Sequence, residues 1–256
     1  MLESTFQHIQ GVGERTERHL WERGCKNWDL LIHDDFNLPK DTYRRLKAGV
    51  MESKCRLESM DHDYFRNNLP RSITWRAYEN FRNHACFMDI ETTGLSPEHD
   101  DVTTVCVHSP AGTESYVAGK NLGRLRDDLR EFRYIVSFNG SRFDLPFLTR
   151  RMGVRFNQIH LDLLYPLRRL GYSGGLKRIE KMLGFSRDTE GVDGYDAVRL
   201  WRAYRKNSEV EVAGRRVSGE DALNLLVDYN REDTVNLESI TEFVVKEMRE
   251  RHRRYL

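Results

Sequence analysis

Apolar and polar positions fall into two regimes along the 256-residue chain. In residues 1–82 the apolar residues recur at helical spacing. Phe6 and Ile9 face inward from a short helical piece that runs into Gly11-Val12-Gly13. A second helix presents Thr16, His19 or Leu20, and Arg23 at helical spacing, and Gly24 ends it as a C-cap. Residues 28–68 read as helical, with Leu30, Leu31 and Ile32, then Tyr43, Leu46, Val50 and Met51, as apolar positions. Pro39 ahead of Asp41 marks a helix start. Leu69-Pro70-Arg71-Ser72 is a break, with Ser72 the N-cap of a helix carrying Ile73, Trp75, Tyr78 and Phe81.

From residue 83 onward the period shortens. The run from Phe87 through Asp89 and Glu91, which breaks at Thr92-Thr93-Gly94, reads as a strand, as do Val102–Val107 and Glu114–Ala118, the latter two separated by the turn cluster Ser109-Pro110-Ala111-Gly112. Leu122, Leu125, Leu129 and Phe132 return to helical spacing. Tyr134–Phe138 and Ile159–Leu163 are short apolar runs of strand length, and Asp144 opens a helix between them. Helical patterns follow at 176–183, 196–205 and 218–230, and a last helix runs from Arg231 toward the C-terminus. This order predicts an α/β class: a mixed sheet flanked by helices (residues 83–256), preceded by a small all-helical region (residues 1–82).

Composition changes this picture little. With 39% hydrophobic and 32% charged residues the chain is a globular protein with a highly charged surface, not a disordered one. A formal net charge of +1 gives no whole-molecule argument for nucleic acid. Basic residues concentrate only at arginines 150, 151, 155, 168 and 169 and at Arg249-Glu-Arg251-His-Arg253-Arg254. The four cysteines are widely spaced without a Cys-x-x-Cys pair, which predicts unpaired thiols in a reducing compartment rather than a disulfide frame or a zinc site. No basic leader precedes an apolar run and no run is long enough to span a membrane, so a cytoplasmic protein with no membrane partner is expected.

The candidate chemistry sits at the first strand. Asp89 and Glu91, at i and i+2, share one face, with Cα atoms roughly 6.6 Å apart at strand rise. Two acidic oxygen ligands so placed can grip a hard divalent cation. Farther on, Asp144 lies near a helix start, where capping alone would account for it. Tyr229 and Asp233, at i and i+4, share a helix face. The Gly11-Val12-Gly13 turn either lets a backbone approach a phosphate or is a tight turn that touches only protein.

Taken together these stretches resemble a known family. Asp89-Ile-Glu91-Thr-Thr-Gly-Leu looks like the first motif of the DEDD (DnaQ-like) 3′-to-5′ exonucleases of the ribonuclease H-like superfamily. Asn139-Gly-Ser-Arg-Phe143-Asp144 is similar to the second motif, and Tyr229-Asn-Arg-Glu-Asp233 matches the Tyr-containing third. The Gly11-Val12-Gly13 turn resembles a helix-hairpin-helix and points to the YprB-like branch. The resemblance implies a ribonuclease H-like fold and hydrolysis of nucleic-acid 3′ ends with two Mg²⁺ or Mn²⁺ ions. It implies that Asp89 bridges both ions, that Glu91 and Asp233 hold the nucleophile-side ion, and that Asp144 holds the other. Tyr229 would orient the attacking water. Thr92, Leu95, Asn139 and Phe143 would flank the terminal nucleotide, with Leu95 equally readable as core, and Lys177 would meet a phosphate. Asp162 is a structural or supporting acid. The expected partner is nucleic acid, single-stranded DNA on the strength of the hairpin; an RNA 3′-exonuclease and a non-catalytic nucleic-acid-binding scaffold are the alternatives.

Overall fold

The computed structural model describes residues 1–34 and 36–256; position 35, inside the span expected to be helical, lies outside them. The N-terminal region holds a 3-10 turn at Leu2–Ser4 and the helices α1 (Glu14–Glu22), α2 (Trp28–His33), α3 (Lys40–Glu58) and α4 (His62–Asn68). Phe6 and Ile9 are buried as expected, but on successive turns rather than a helix: Ile9 N–H donates to Phe6 O and Val12 N–H to Ile9 O. Gly11 takes φ +80°, a conformation that favours glycine, and closes the second of these turns. A 3-10 stretch (Arg71–Ala77) and α5 (Tyr78–Phe81) lead into the sheet.

Strands β1 (Ala85–Thr92), β2 (Val102–Ser109) and β3 (Gly112–Val117) form an antiparallel meander. After the short helix α6 (Leu125–Asp128), β4 (Tyr134–Ser137) pairs parallel to β1. Then α7 (Asp144–Met152) crosses over to β5 (Ile159–Asp162), which pairs parallel to β4. The sheet order is β3-β2-β1-β4-β5, the mixed sheet the strand pattern predicts. The remaining helices are α8 (Leu164–Leu170), α9 (Leu176–Leu183) and α10 (Gly194–Lys206). A hairpin of β6 (Glu209–Val212) and β7 (Arg215–Ser218) follows, and then the 35-residue α11 (Gly219–Arg253).

Two expectations change here. The helices expected at 218–230 and from Arg231 are one helix, because residues 220–253 contain neither Gly nor Pro to interrupt it. The β6–β7 hairpin was not anticipated, although Glu-Val-Glu-Val alternates with the strand period. Its two turn residues, Ala213 and Gly214, both take positive φ (50° and 71°), as a tight two-residue hairpin requires.

Burial alternates along β1. Cys86, Met88 and Ile90 pack into the core under α7, with Phe147 and Leu148. Ala85 and Phe87 face the opposite core, which they share with Leu237, Ile240 and Val244 of α11. That core continues without interruption into the N-terminal helices through Leu46, Phe65, Trp75 and Phe81, so the change of architecture near residue 83 falls inside one continuous core. A buried ion pair, Arg76 Nη1 to Glu17 Oε2 at 2.9 Å, ties α1 to the 3-10 stretch. Glu17 also accepts the Phe6 N–H at 2.7 Å, which fixes the entry of the chain into the glycine turn. Among the described residues no helix is long and apolar enough to cross a membrane.

Candidate active site

The period of β1 carries the face that buries Ala85 and Phe87 on to Asp89 and Glu91. On the β2 side these two residues pair with Cys106 and Thr104. On the other side β4 pairs only as far as Phe87, because Ser137 ends it. The C-terminal half of β1 therefore opens on a gap, and the chain after β4 turns into that gap.

The turn is organised by Asp162. Its carboxylate accepts the backbone N–H groups of Asn139 (2.8 Å), Ser141 (3.1 Å) and Leu164 (3.1 Å) and the Ser141 hydroxyl (2.6 Å). Asp162 thus has a structural task, one of the two expected of it. Asn139 takes φ +61° in this turn. A Cβ at Gly140 would lie 2.1 Å from Ser137 Oγ, so only glycine lets the backbone pass here. The result delivers Asp144, 4% exposed, at the first position of α7. Asp144 is the first residue of the helix and not its cap, which is Phe143, so capping does not account for it.

The third contribution comes from α11, whose buried stripe runs at three- and four-residue steps through Leu226, Tyr229, Asn230, Asp233, Thr234, Leu237 and Ile240. Its apolar half covers Phe87; its polar half covers the acids. One carboxylate oxygen from each of Asp89, Glu91 and Asp233 lies within 4.8 Å of the other two. Asp144 stands beside this set, close enough that its charge acts strongly on Asp89.

The electrostatics follow from the crowding. Asp89 and Glu91 keep part of their surface open while protein encloses them on the other sides. Burial, and then the charges of Asp144, Asp233 and Glu91, push the Asp89 carboxyl well above its usual range. Burial and Asp233 do the same to Glu91. Burial raises Asp144 to about 7. Burial raises Asp233 too, against the opposing pull of Arg187. The Tyr229 phenol is pushed up from its ordinary value by burial and by the charges of Asp233, Glu91 and Asp89, so it stays protonated.

A set of crowded carboxylate oxygens fits a hard divalent cation better than a soft metal. Asn230, 1% exposed, donates Nδ2 to Asp89 Oδ2 at 2.8 Å and leaves its own buried Oδ1 without a partner. An orphaned acceptor at this cluster is what a cation or its water would satisfy.

The other expected positions are placed as follows. The Thr92 hydroxyl closes its own turn by donating to Gly94 O at 2.5 Å. Leu95 stands 85% exposed beyond β1, so it is not core. Phe143 packs against Phe147 with the rings tilted and their centroids 5.5 Å apart, at the entrance of α7. Lys177 holds its ammonium 4.1 Å above the Tyr229 ring, donates to Val192 O, and faces the charges of Asp233 and Glu91. Gly11, Val12 and Gly13 lie in the N-terminal region, where Gly13 is the N-cap of α1. Two residues with direct roles around the acids, Asn230 and Arg187, were not anticipated.

Residues 86–245 match the RNase_H_2 family model of the RNase_H superfamily. The chain belongs to the ribonuclease H superfamily. No curated protein matches the sequence. Among solved structures, this superfamily member is similar to the family B DNA polymerase of Pyrobaculum calidifontis, at 20% identity and a TM-score of 0.47. That likeness covers 63% of this chain and spans only 25% of the polymerase. It is also similar to Brucella melitensis NrnC with bound Mg²⁺ (20% identity, 70% of this chain, 81% of that one, TM-score 0.44). NrnC bound to pGG gives 22% identity, 70% and 79% coverage and a TM-score of 0.44.

Proposed function

We propose that the protein is a metal-dependent 3′-to-5′ exonuclease that hydrolyses phosphodiester bonds at the ends of single-stranded nucleic acid. The observation that carries this reading is the approach of Asp89, Glu91 and Asp233 within 4.8 Å, with Tyr229 one turn before Asp233 on the same helix face. Asp89, Glu91 and Asp233 would hold one Mg²⁺ or Mn²⁺, and Asp144, with Asp89 between, a second. Divalent cations so held would neutralise charge on the phosphodiester and supply an activated water. The chain's own groups do the rest. Tyr229, protonated at neutral pH, donates a hydrogen bond and orients the nucleophile rather than taking its proton. Lys177, beside the same ring, places a positive charge for a phosphate oxygen. Exposed Leu95 offers an apolar surface to the terminal base, and Asn139 and Phe143 would flank the same nucleotide.

The sugar is a separate matter. The expectation of DNA leaned on the glycine hairpin, but the exposed Glu14 occupies the first turn of α1 and opposes an anion at that helix start. Arg45 packs its guanidinium 3.4 Å from where a Gly11 Cβ would stand, a protein contact for the glycine. With that support weakened, RNA 3′ ends stand on the same chemical footing as DNA. The four unpaired thiols suit a reducing, cytoplasmic setting.

The test uses 5′-labelled single-stranded DNA, RNA and duplex DNA with Mg²⁺, Mn²⁺ or EDTA. A ladder shortening from the 3′ end, abolished by EDTA and by Asp144→Ala, is expected, and the relative rates on the two single strands assign the sugar. Cuts in a circular substrate would replace the reading with an endonuclease. Binding without cleavage under either metal would replace it with a scaffold.

A further inference from the structure

We propose that Arg187 is a positioning residue that sets the Asp233 carboxylate for cation binding, an inference that rests on reading Asp89, Glu91 and Asp233 as cation ligands. Arg187 lies between α9 and α10 with its side chain only 9% exposed. Its Nη2 donates to Asp233 Oδ1. Its Nη1 donates to Glu180 Oε2 at 2.5 Å, and Nε lies 3.4 Å from Glu232 Oε2. Glu180, 1% exposed, accepts the Asn236 amide on its other oxygen at 2.9 Å. Asn236 is three residues beyond Asp233, on the same face of α11. The chain of bonds Asp233–Arg187–Glu180–Asn236 therefore leaves α11 and returns to it one turn later, which holds the guanidinium in one place.

The backbone around Arg187 is held as firmly. Glu232, the neighbour of Asp233, accepts the N–H of Asp188 (2.5 Å), the N–H of Thr189 (3.2 Å) and the Thr189 hydroxyl. Lys177 secures the far end of the same loop at Val192 O.

Stability alone does not call for such a network, since a whole buried ionic cluster is commonly matched by apolar residues of the same volume. What the network does is engage one oxygen of a ligand carboxylate through a rigid fork and leave the second oxygen for the ion. The competing idea is that the guanidinium occupies the place of the cation. Its contacts speak against that: among the described residues it pairs with Asp233, Glu180 and Glu232, and so touches one of the three clustered ligands, not Asp89 or Glu91.

Calorimetric titration with Mn²⁺, without substrate, separates these ideas. Arg187→Met should weaken binding about 10- to 100-fold, the usual effect of removing a group that orients a ligand. Because Arg187→Met leaves Glu180 buried and unpaired, the decisive variant is the double change Arg187→Met with Glu180→Gln, which keeps the Asn236 bond. Arg187→Lys keeps the charge without the fork and should recover part of the affinity. Unchanged or tighter binding in the double variant, or in the Lys variant relative to wild type, overturns the proposal. Asp89→Asn is the control that removes a ligand. Absence of binding by the wild-type protein would overturn the cation reading itself and this inference with it, an outcome distinct from a wild type that binds and variants that bind equally well.

Discussion

Replacing Asp144 by Asn should stabilise the cation-free protein at alkaline pH while abolishing cleavage. Burial lifts the Asp144 carboxyl from its ordinary 3.8 to about 7. At about 1.4 kcal/mol per pH unit, keeping it ionised at pH 8 costs the fold up to about 4 kcal/mol. Asn carries no charge at any pH, but its single oxygen has less acceptor capacity than the carboxylate for the backbone beside it. Setting that loss against the gain leaves about 2 kcal/mol, or about 4–8 °C in melting temperature for a chain of this size. The sign is fixed by the direction of the shift. A carboxyl raised in the folded state favours folding when protonated, so its contribution is complete below pH 3.8 and is lost as pH rises through 7. The gap between Asp144→Asn and wild type should therefore open between pH 4 and 7 and stay level above. Circular dichroism melts in EDTA at pH 4, 6 and 8 measure it. Equal melting at pH 8, or a gap as large at pH 4 as at pH 8, would refute the reasoning, because charge would not be its source.

Three further outcomes are expected. Mg²⁺ or Mn²⁺ at a hundredfold excess over its dissociation constant should stabilise wild type by about 2.7 kcal/mol, a thermal shift reversed by EDTA and absent in Asp89→Asn. Arg76→Met leaves Glu17 ionisable and fully buried and should cost about 3–5 kcal/mol in urea denaturation; adding Glu17→Gln should recover most of it. Leu95→Ala, at an exposed position, should change stability by no more than about 0.5 kcal/mol yet raise the KM for 3′-end trimming; an unchanged KM would remove Leu95 from the substrate surface.

How much of this was legible in the sequence depended on the range of each interaction. Asp89, Glu91, Tyr229 and Asp233 could be paired off because local periodicity puts each pair on one face. Asp144 could be singled out only by resemblance, since locally it reads as a cap; its link to the site is its charge acting on Asp89, in a strand far from it in sequence. Asn230 lay in plain view inside the Tyr229–Asp233 stretch, but a neutral amide among charged neighbours gave no signal of its own. Arg187 gave none either, because Ser-Arg-Asp-Thr reads as a polar loop and its partner Asp233 is 46 residues away. Helix α8 has no counterpart in the sequence reading; its Pro166 stands in the first turn, where proline is tolerated. The continuity of the core across residue 83 depends on contacts between Trp75, Phe81 and α11 that no local pattern encodes.

Burying several carboxylates together works against folding, and side-chain donors answer two of them: Asn230 serves Asp89 and Arg187 serves Asp233, each meeting one carboxylate oxygen, while Glu91 has the charge of Lys177 nearby. The repulsion that raises these carboxyls is therefore relieved only in part. The remainder is the energy a divalent cation would release on binding. Affinity for the cation and instability without it are then two expressions of one electrostatic term. Variants that neutralise an acid should gain stability in EDTA in proportion to the cation affinity they lose. Variants that remove a donor should lose both. That divergence between Asp144→Asn and Arg187→Met, measured in the same buffers, distinguishes a cluster shaped around a cation from one that is merely acidic.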